Sequence, residues 1–197
     1  YLPEEKRYGL GVVAFALCSS YSRQMPLRRI AQAVLARLVS TVKENAHLAI
    51  LHGPDVYYVI EQRAPRRRAL VSDVGVRLPA TLTASGLAVL SALSAAQVRA
   101  IYRDSTALAD REGRGPATLT DLDRLLADVR HRGYAVEDGE VTPGLASVAV
   151  AVLDHNQHPV AAVAVTFPEG ADTAALAAAV RRTAGQLTRR IGGAPAA

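Results

Sequence analysis

Tryptophan is absent from this chain of 197 residues, cysteine and methionine occur once each, and aromatic residues make up only 5% of it. A lone thiol, Cys18, excludes an intramolecular disulfide, and no set of cysteines and histidines has the spacing of a zinc site, so no metal is expected. A reducing compartment, the cytoplasm, is the expected setting. No apolar run approaches the ~18 residues that a membrane span needs, and the N-terminus has neither the basic start nor the apolar core of a signal peptide. Phosphate loops, Gly-x-Gly-x-x-Gly turns and Gly-x-Ser-x-Gly elbows are missing, and the five histidines are scattered. Neither a catalytic centre nor a cofactor is therefore expected.

What is present is a globular composition: half of the residues are hydrophobic, mostly Ala, Val and Leu, and 21% are charged. That length and composition support one compact core. Small side chains let backbones approach closely, so a cavity in such a core is expected to be lined by small residues with a few polar atoms among them. The net charge of +5 is carried by dispersed arginines. Their densest run, Arg66, Arg67 and Arg68, reads as a solvated loop or a partner contact and not as a DNA-reading surface.

The chain begins at Tyr1, without an initiator Met, in a stretch that reads as the closing part of a hairpin; a preceding segment is expected. Residues 12–21 are apolar nearly all round, as in a buried or dimer-facing helix. Pro26 suits the first turn of a helix over 27–43, with Ile30, Val34, Leu38 and Val42 on one stripe. From His47 the period changes to that of a hairpin, 47–51 and 56–61, turning at Gly53-Pro54-Asp55. A short strand over 69–74 and a helix over 81–92 follow, and Ser94 and Gln97 form a capping box for a short helix through Tyr102. Residues 104–116 read as loop, Thr120 as the cap of a helix over 121–132, and Gly133 as its stop. Two strands around 155–158, a helix over 172–190 and a fraying tail complete the chain. Helices flank hairpins, so the expected fold is α+β with an antiparallel sheet.

The last hairpin is the most informative segment because its faces differ. A four-residue loop at His155 to His158 sets Leu153 opposite Val160, Ala151 opposite Ala162, Ala149 opposite Ala164 and Ser147 opposite Thr166, all on one face. Val148, Val150 and Val152 share the other face with Val163 and Val165, the natural core contact. The small face is left either beneath a closely packed helix or open to a ligand, and the paired hydroxyls of Ser147 and Thr166 favour a ligand. The helix start at Thr83, Ala84, Ser85 and Gly86 presents backbone N–H groups that suit a carboxylate, although Thr83 or Ser85 could simply cap the helix. Glu137, Asp138 and Glu140, just ahead of the Ser147 strand, are further candidates.

Taken in order, these segments resemble the IclR family of bacterial transcription factors. Tyr8-Gly-Leu-Gly11 is similar to the end of that family's winged helix-turn-helix running into its linker helix, and Leu78-Pro-Ala-Thr-Leu-Thr-Ala-Ser-Gly86 to its pocket loop. Arg132-Gly-Tyr-Ala-Val-Glu-Asp-Gly-Glu140 is similar to its Gly-Tyr plus acidic motif, and Gly144 to Ala149 with Asp154 to Thr166 to its closing hairpin. The resemblance implies a GAF-like or profilin-like effector domain over 25–192, preceded by a wing remnant and linker helix over 1–24 and followed by a disordered tail over 193–197. It also implies a small organic acid or aromatic metabolite as effector, assembly as a homodimer or dimer of dimers, and DNA contact through an N-terminal domain. Carried over by position, ligand contacts fall on Ala84, Ser85, Glu137, Ser147, Ala164 and Thr166; with Thr83 and Gly86 of the helix start and Ala149 of the small face, these are the nine expected ligand-binding residues. The family often has Gly-Lys where this chain has Gly86-Leu87, and Ser where it has Ala164, so the site here is the less polar one. A GAF-like sensor of another signalling protein is the alternative, with a small enzyme behind it.

Overall fold

The computed structural model describes residues 26–65, 67, 74–103, 108 and 114–195. The expected linker helix over 12–21, Cys18, Arg66 and Arg68, and residues 69–73 of the expected short strand lie outside the described residues. Elements follow in the order α1 (Pro26–Val42), β1 (Asn45–His52), β2 (Asp55–Gln62), β3 (Arg77–Pro79), a 3-10 turn (Ala80–Leu82), α2 (Ala84–Ala92), α3 (Ala95–Ile101), α4 (Leu119–Arg132), β4 (Ala135–Asp138), β5 (Leu145–Leu153), β6 (Pro159–Pro168) and α5 (Thr173–Arg190). The strands form one sheet in the order β3-β2-β1-β6-β5-β4, antiparallel at every pairing. The fold is α+β, as expected.

The alternation along the strands gives the sheet two apolar faces, and helices cover both. Leu35, Leu38, Val148, Val163, Val165 and Leu187 pack together under α1 and α5. On the opposite face Tyr58, Leu90, Leu126, Ala149, Ala162 and Ala164 pack with α2 and α4. The small residues of β5 and β6 thus do what small residues permit: they let α2, buried from Ala84 to Leu90, lie close against the sheet. The valine face is core, as expected, and the middle of the alanine face is core too, while its Ser147 and Thr166 end and the half-buried Ala151 and Leu153 at the other end are not.

Several local expectations are corrected. The N-cap of α4 is Thr118, whose extended backbone (φ −134°, ψ 161°) precedes the helix and whose hydroxyl accepts from the Asp121 N–H; Thr120 lies inside the first turn. Leu153 pairs with Pro159 and not Val160, because the ladder slips after Val152. The slip accompanies a loop tightened by Asp154, whose Oδ1 accepts from the Asn156 and His158 N–H groups at 2.8 and 2.9 Å. Val74 and Gly75 form a turn, and the strand described in this region is Arg77–Pro79. The helix expected over 81–92 begins at Ala84, since Thr83 is extended and the residues before it make a 3-10 turn. At the end of the chain, Gly193 donates to the Thr188 carbonyl at 2.8 Å. A Cβ on Gly193 would come within 2.3 Å of the Leu153 carbonyl oxygen, so Gly193 lies against the β5–β6 turn.

Candidate functional site

The site forms where the start of α2 meets the hydroxyl-bearing end of the last hairpin. Thr83 caps α2: its Oγ1 accepts from the Gly86 N–H at 3.0 Å. The N–H groups of Ala84 and Ser85 remain without acceptors in the helix, at the positive end of its dipole. Gly86 has a different task. A Cβ there would lie 2.1 Å from the Ala80 carbonyl oxygen, so only glycine lets the 3-10 turn fold back on the first turn of the helix.

Opposite this helix start, β4, β5 and β6 align Glu137, Ser147 and Thr166 in register. The Ser147 and Thr166 hydroxyls are 3.0 Å apart, and the Glu137 carboxylate bonds the Ser147 hydroxyl while its Oε1 accepts from the Val141 N–H at 2.8 Å. Burial pushes the Glu137 carboxyl above the usual carboxylate range, with the nearby Glu140 charge adding to the rise and the bonds from Val141 and Ser147 opposing it. The third wall comes from β1 and β2. His47 pairs across the ladder with Ala164, and its ring meets Tyr58 edge to face at 5.5 Å. Burial, reinforced by the Arg63 charge, pushes His47 down to about 4, so the imidazole is neutral near pH 7. The Tyr58 hydroxyl bonds Ser85 and is held above its ordinary range, first by burial and then by the Glu137 charge.

These walls enclose a cleft lined by His47, Tyr58, Thr83, Ala84, Ser85, Glu137, Val141, Thr142, Leu145, Ser147, Ala164 and Thr166. Seven of the nine residues expected from the sequence therefore converge. Gly86 and Ala149 are not among the lining residues: Gly86 supports the turn from behind, and Ala149 is packed beneath α2. The space open to the centre of a water molecule is about 20 Å³, room for roughly one water. Val141 and Thr142, which close one side, sit on a loop between Gly139 (φ 84°) and Gly144 (φ 81°). That loop is tied down by Glu137 itself, by Arg114 Nη1 donating to the Gly139 carbonyl at 2.8 Å and by the Gly144 N–H donating to Glu169 at 3.0 Å.

His47, Tyr58, Val141, Thr142 and Leu145 were not anticipated. For His47 a signal existed in the alternation His47, Ala49, Leu51, but its relevance depends on β1 pairing with β6, a contact between distant segments. Chemically, the cleft offers two backbone N–H donors, six hydroxyl-bearing side chains, a neutral imidazole and a buried carboxyl held above the usual carboxylate range. Among the described residues no group of three or more His, Cys, Asp or Glu is placed to hold a metal ion, and no helix is long and apolar enough to cross a membrane.

Fold and cleft together define a class: an α+β domain, layered on both faces of an antiparallel sheet, with a narrow polar recess at one helix start. The family described as bacterial transcriptional regulator IclR, C-terminal, matches residues 19–189. The chain belongs to this family, and what it carries is the C-terminal domain of an IclR-type bacterial transcriptional regulator. It is 32% identical over 169 residues to the Pca regulon regulatory protein of Pseudomonas putida, covering 84% of this chain and 57% of that protein. It is 31% identical over 196 residues to the glycerol operon regulatory protein of Streptomyces griseus, covering 96% of this chain and 76% of that one. The crystal structure of the Thermotoga maritima IclR superposes with a TM-score of 0.83 at 25% identity, covering 95% of this chain and 77% of that chain.

Proposed function

We propose that this chain is the effector-sensing part of a transcriptional regulator, and that the cleft between the start of α2 and the β5–β6 hairpin binds a small organic acid or aromatic metabolite. The observation that carries the reading is the convergence of Ala84, Ser85, Glu137, Ser147 and Thr166, from four separate elements, on one recess. The two free N–H groups of α2 suit a carboxylate, and Glu137 with the Ser147–Thr166 pair suits a hydroxyl or second polar group at the other end. Because the recess holds about one water, an effector must widen it, and the 139–144 loop is the element whose displacement does so. In this reading binding, not catalysis, is the task; the relatives named above are regulators. The protein works in the cytoplasm as a homodimer or dimer of dimers. Residues 1–24 relay the state of the cleft to a winged helix-turn-helix that contacts DNA, and residues 25–192 form the sensing unit.

Relay requires that the effector bind one arrangement of the paired domains better than the other; a tenfold preference corresponds to ~1.4 kcal/mol. A panel of organic acids and aromatic metabolites screened by thermal shift tests the proposal. At least one should raise the melting temperature of the wild-type chain, and Ser147→Leu should abolish that shift while its amide spectrum remains that of a folded chain. An undiminished shift in Ser147→Leu would move the effector site elsewhere.

A further inference from the structure

The larger hollow of this domain is not the cleft. A groove of about 360 Å³, against about 20 Å³ for the cleft, lies at the opposite end of α2. Its size falls within the range of roughly 300–1,000 Å³ typical of small-molecule sites. Ala88, Ser91 and Ala92 of α2 form one wall, the last turn of α4 another and α5 a third. The floor is the outer part of β5, where β4, which stops at Ala135 opposite Ala149, no longer pairs; α5 covers the far end, with Thr188 Oγ1 accepting from the Leu153 N–H at 3.1 Å.

The charge of this groove is one-sided. Arg130, His131, Arg132 and Arg181 line it, and no Asp or Glu does. The guanidinium groups of Arg132 and Arg181 both lie over the Tyr134 ring, at 5.7 and 5.8 Å from its centre. Arg130 Nε donates to the Ser91 carbonyl and Arg181 Nη2 to the Arg132 carbonyl, each at 2.7 Å. Each of these two guanidinium groups is thus fixed by one donor, with others left over from the five that each carries. None of the three arginines is ion-paired among the described residues. Like charges gathered on one ring and held in place without a counter-charge fit an anion supplied from outside.

We propose that this groove is a second ligand site, taking an organic acid whose carboxylate is held by Arg130, Arg132 and Arg181 and whose apolar body lies on Ala88, Ala92 and Ala151. The site does not depend on the effector cleft. The two lie at the two ends of α2, whose 9 residues span about 13 Å.

Octanoate, used well below its micelle concentration, is a suitable probe, with 1-octanol and inorganic phosphate as controls, followed in amide spectra of the full 197-residue chain. Octanoate should give saturable shifts at Ser91, Gly133, Ala151 and Gly185, with 1-octanol and phosphate each binding at least tenfold more weakly. The Arg130→Gln, Arg181→Gln double variant should lose at least tenfold in octanoate affinity. Ala92 is exposed, so Ala92→Trp should fill the groove without disturbing the core and abolish the shifts, while Ser147→Leu should leave them intact. Equal binding of 1-octanol or of phosphate, shifts at Ala84 and Ser147 in place of the groove amides, or loss of self-association in Ala92→Trp would each overturn the proposal. The last result would make the groove a contact between copies of this chain.

Discussion

Gly86 shows how one missing methyl group shapes the recess. Inside a helix, Gly→Ala ordinarily gains roughly 1 kcal/mol. Here the added Cβ would overlap the backbone of Ala80, including its carbonyl oxygen at 2.1 Å, and backbone cannot yield as a flexible side chain does. Overpacking of this kind costs about 1–3 kcal/mol or more, so the clash wins. Gly86→Ala should lower unfolding stability in urea by about 2 kcal/mol; a variant as stable as the wild type would show that the turn is free to move away. His47 gives a pH signature. Its folded-state value, pushed down to about 4 by burial, lies below the ~6.5 of an exposed histidine. The unfolded chain therefore binds the proton first, and stability is full above about pH 6.5 and lost as pH falls toward 4, by about 3 kcal/mol at most. His47→Gln should flatten that part of the stability curve, and a wild-type curve without a loss between pH 6.5 and 4 would contradict the assignment.

At the start of α4, two threonines compete for one role. Thr118 accepts from the Asp121 N–H at 3.1 Å and donates to Asp121 Oδ2 at 2.7 Å, whereas Thr120 is exposed within the first turn. Thr118→Ala should cost about 1 kcal/mol and Thr120→Ala no more than about 0.5 kcal/mol; thermal unfolding of the two variants separates them. The same pair marks how far local signals reach. Hydrophobic period placed α1 and both hairpins, the start signal at Thr83 to Gly86 marked α2, and the capping box of Ser94 and Gln97 was found where it was expected. Choosing between Thr118 and Thr120 depends on which residue turns extended, and the loop before it decides that. Likewise the pairs Ser147–Thr166, Ala149–Ala164 and Ala151–Ala162 followed from counting, while the slip at Leu153 depends on hydrogen bonds within the Asp154 loop. Thr83, Ala84, Ser85, Glu137, Ser147 and Thr166 were legible because each sits beside a local signal. His47 and Tyr58 were not, since they reach the cleft only through the pairing of β1 with β6.

The domain as a whole is a sheet with two occupied faces, and the recess exists because α2 begins just where the alanine stripe gives way to hydroxyls. A helix starting one turn earlier would cover Ser147 and Thr166; one starting later would leave the recess open. This placement joins donors from α2, acceptors from the sheet and a loop that can move, which is the arrangement expected of a sensor. It also places the effector against β5 and β6, the strands that connect the recess to the α1 and α5 layer. Amide hydrogen exchange with and without the strongest stabilising metabolite of the screen tests this most directly. Slowed exchange confined to Ala84, Ser85 and residues 137–147 is the predicted result. Protection elsewhere, with these amides unchanged, would contradict the account.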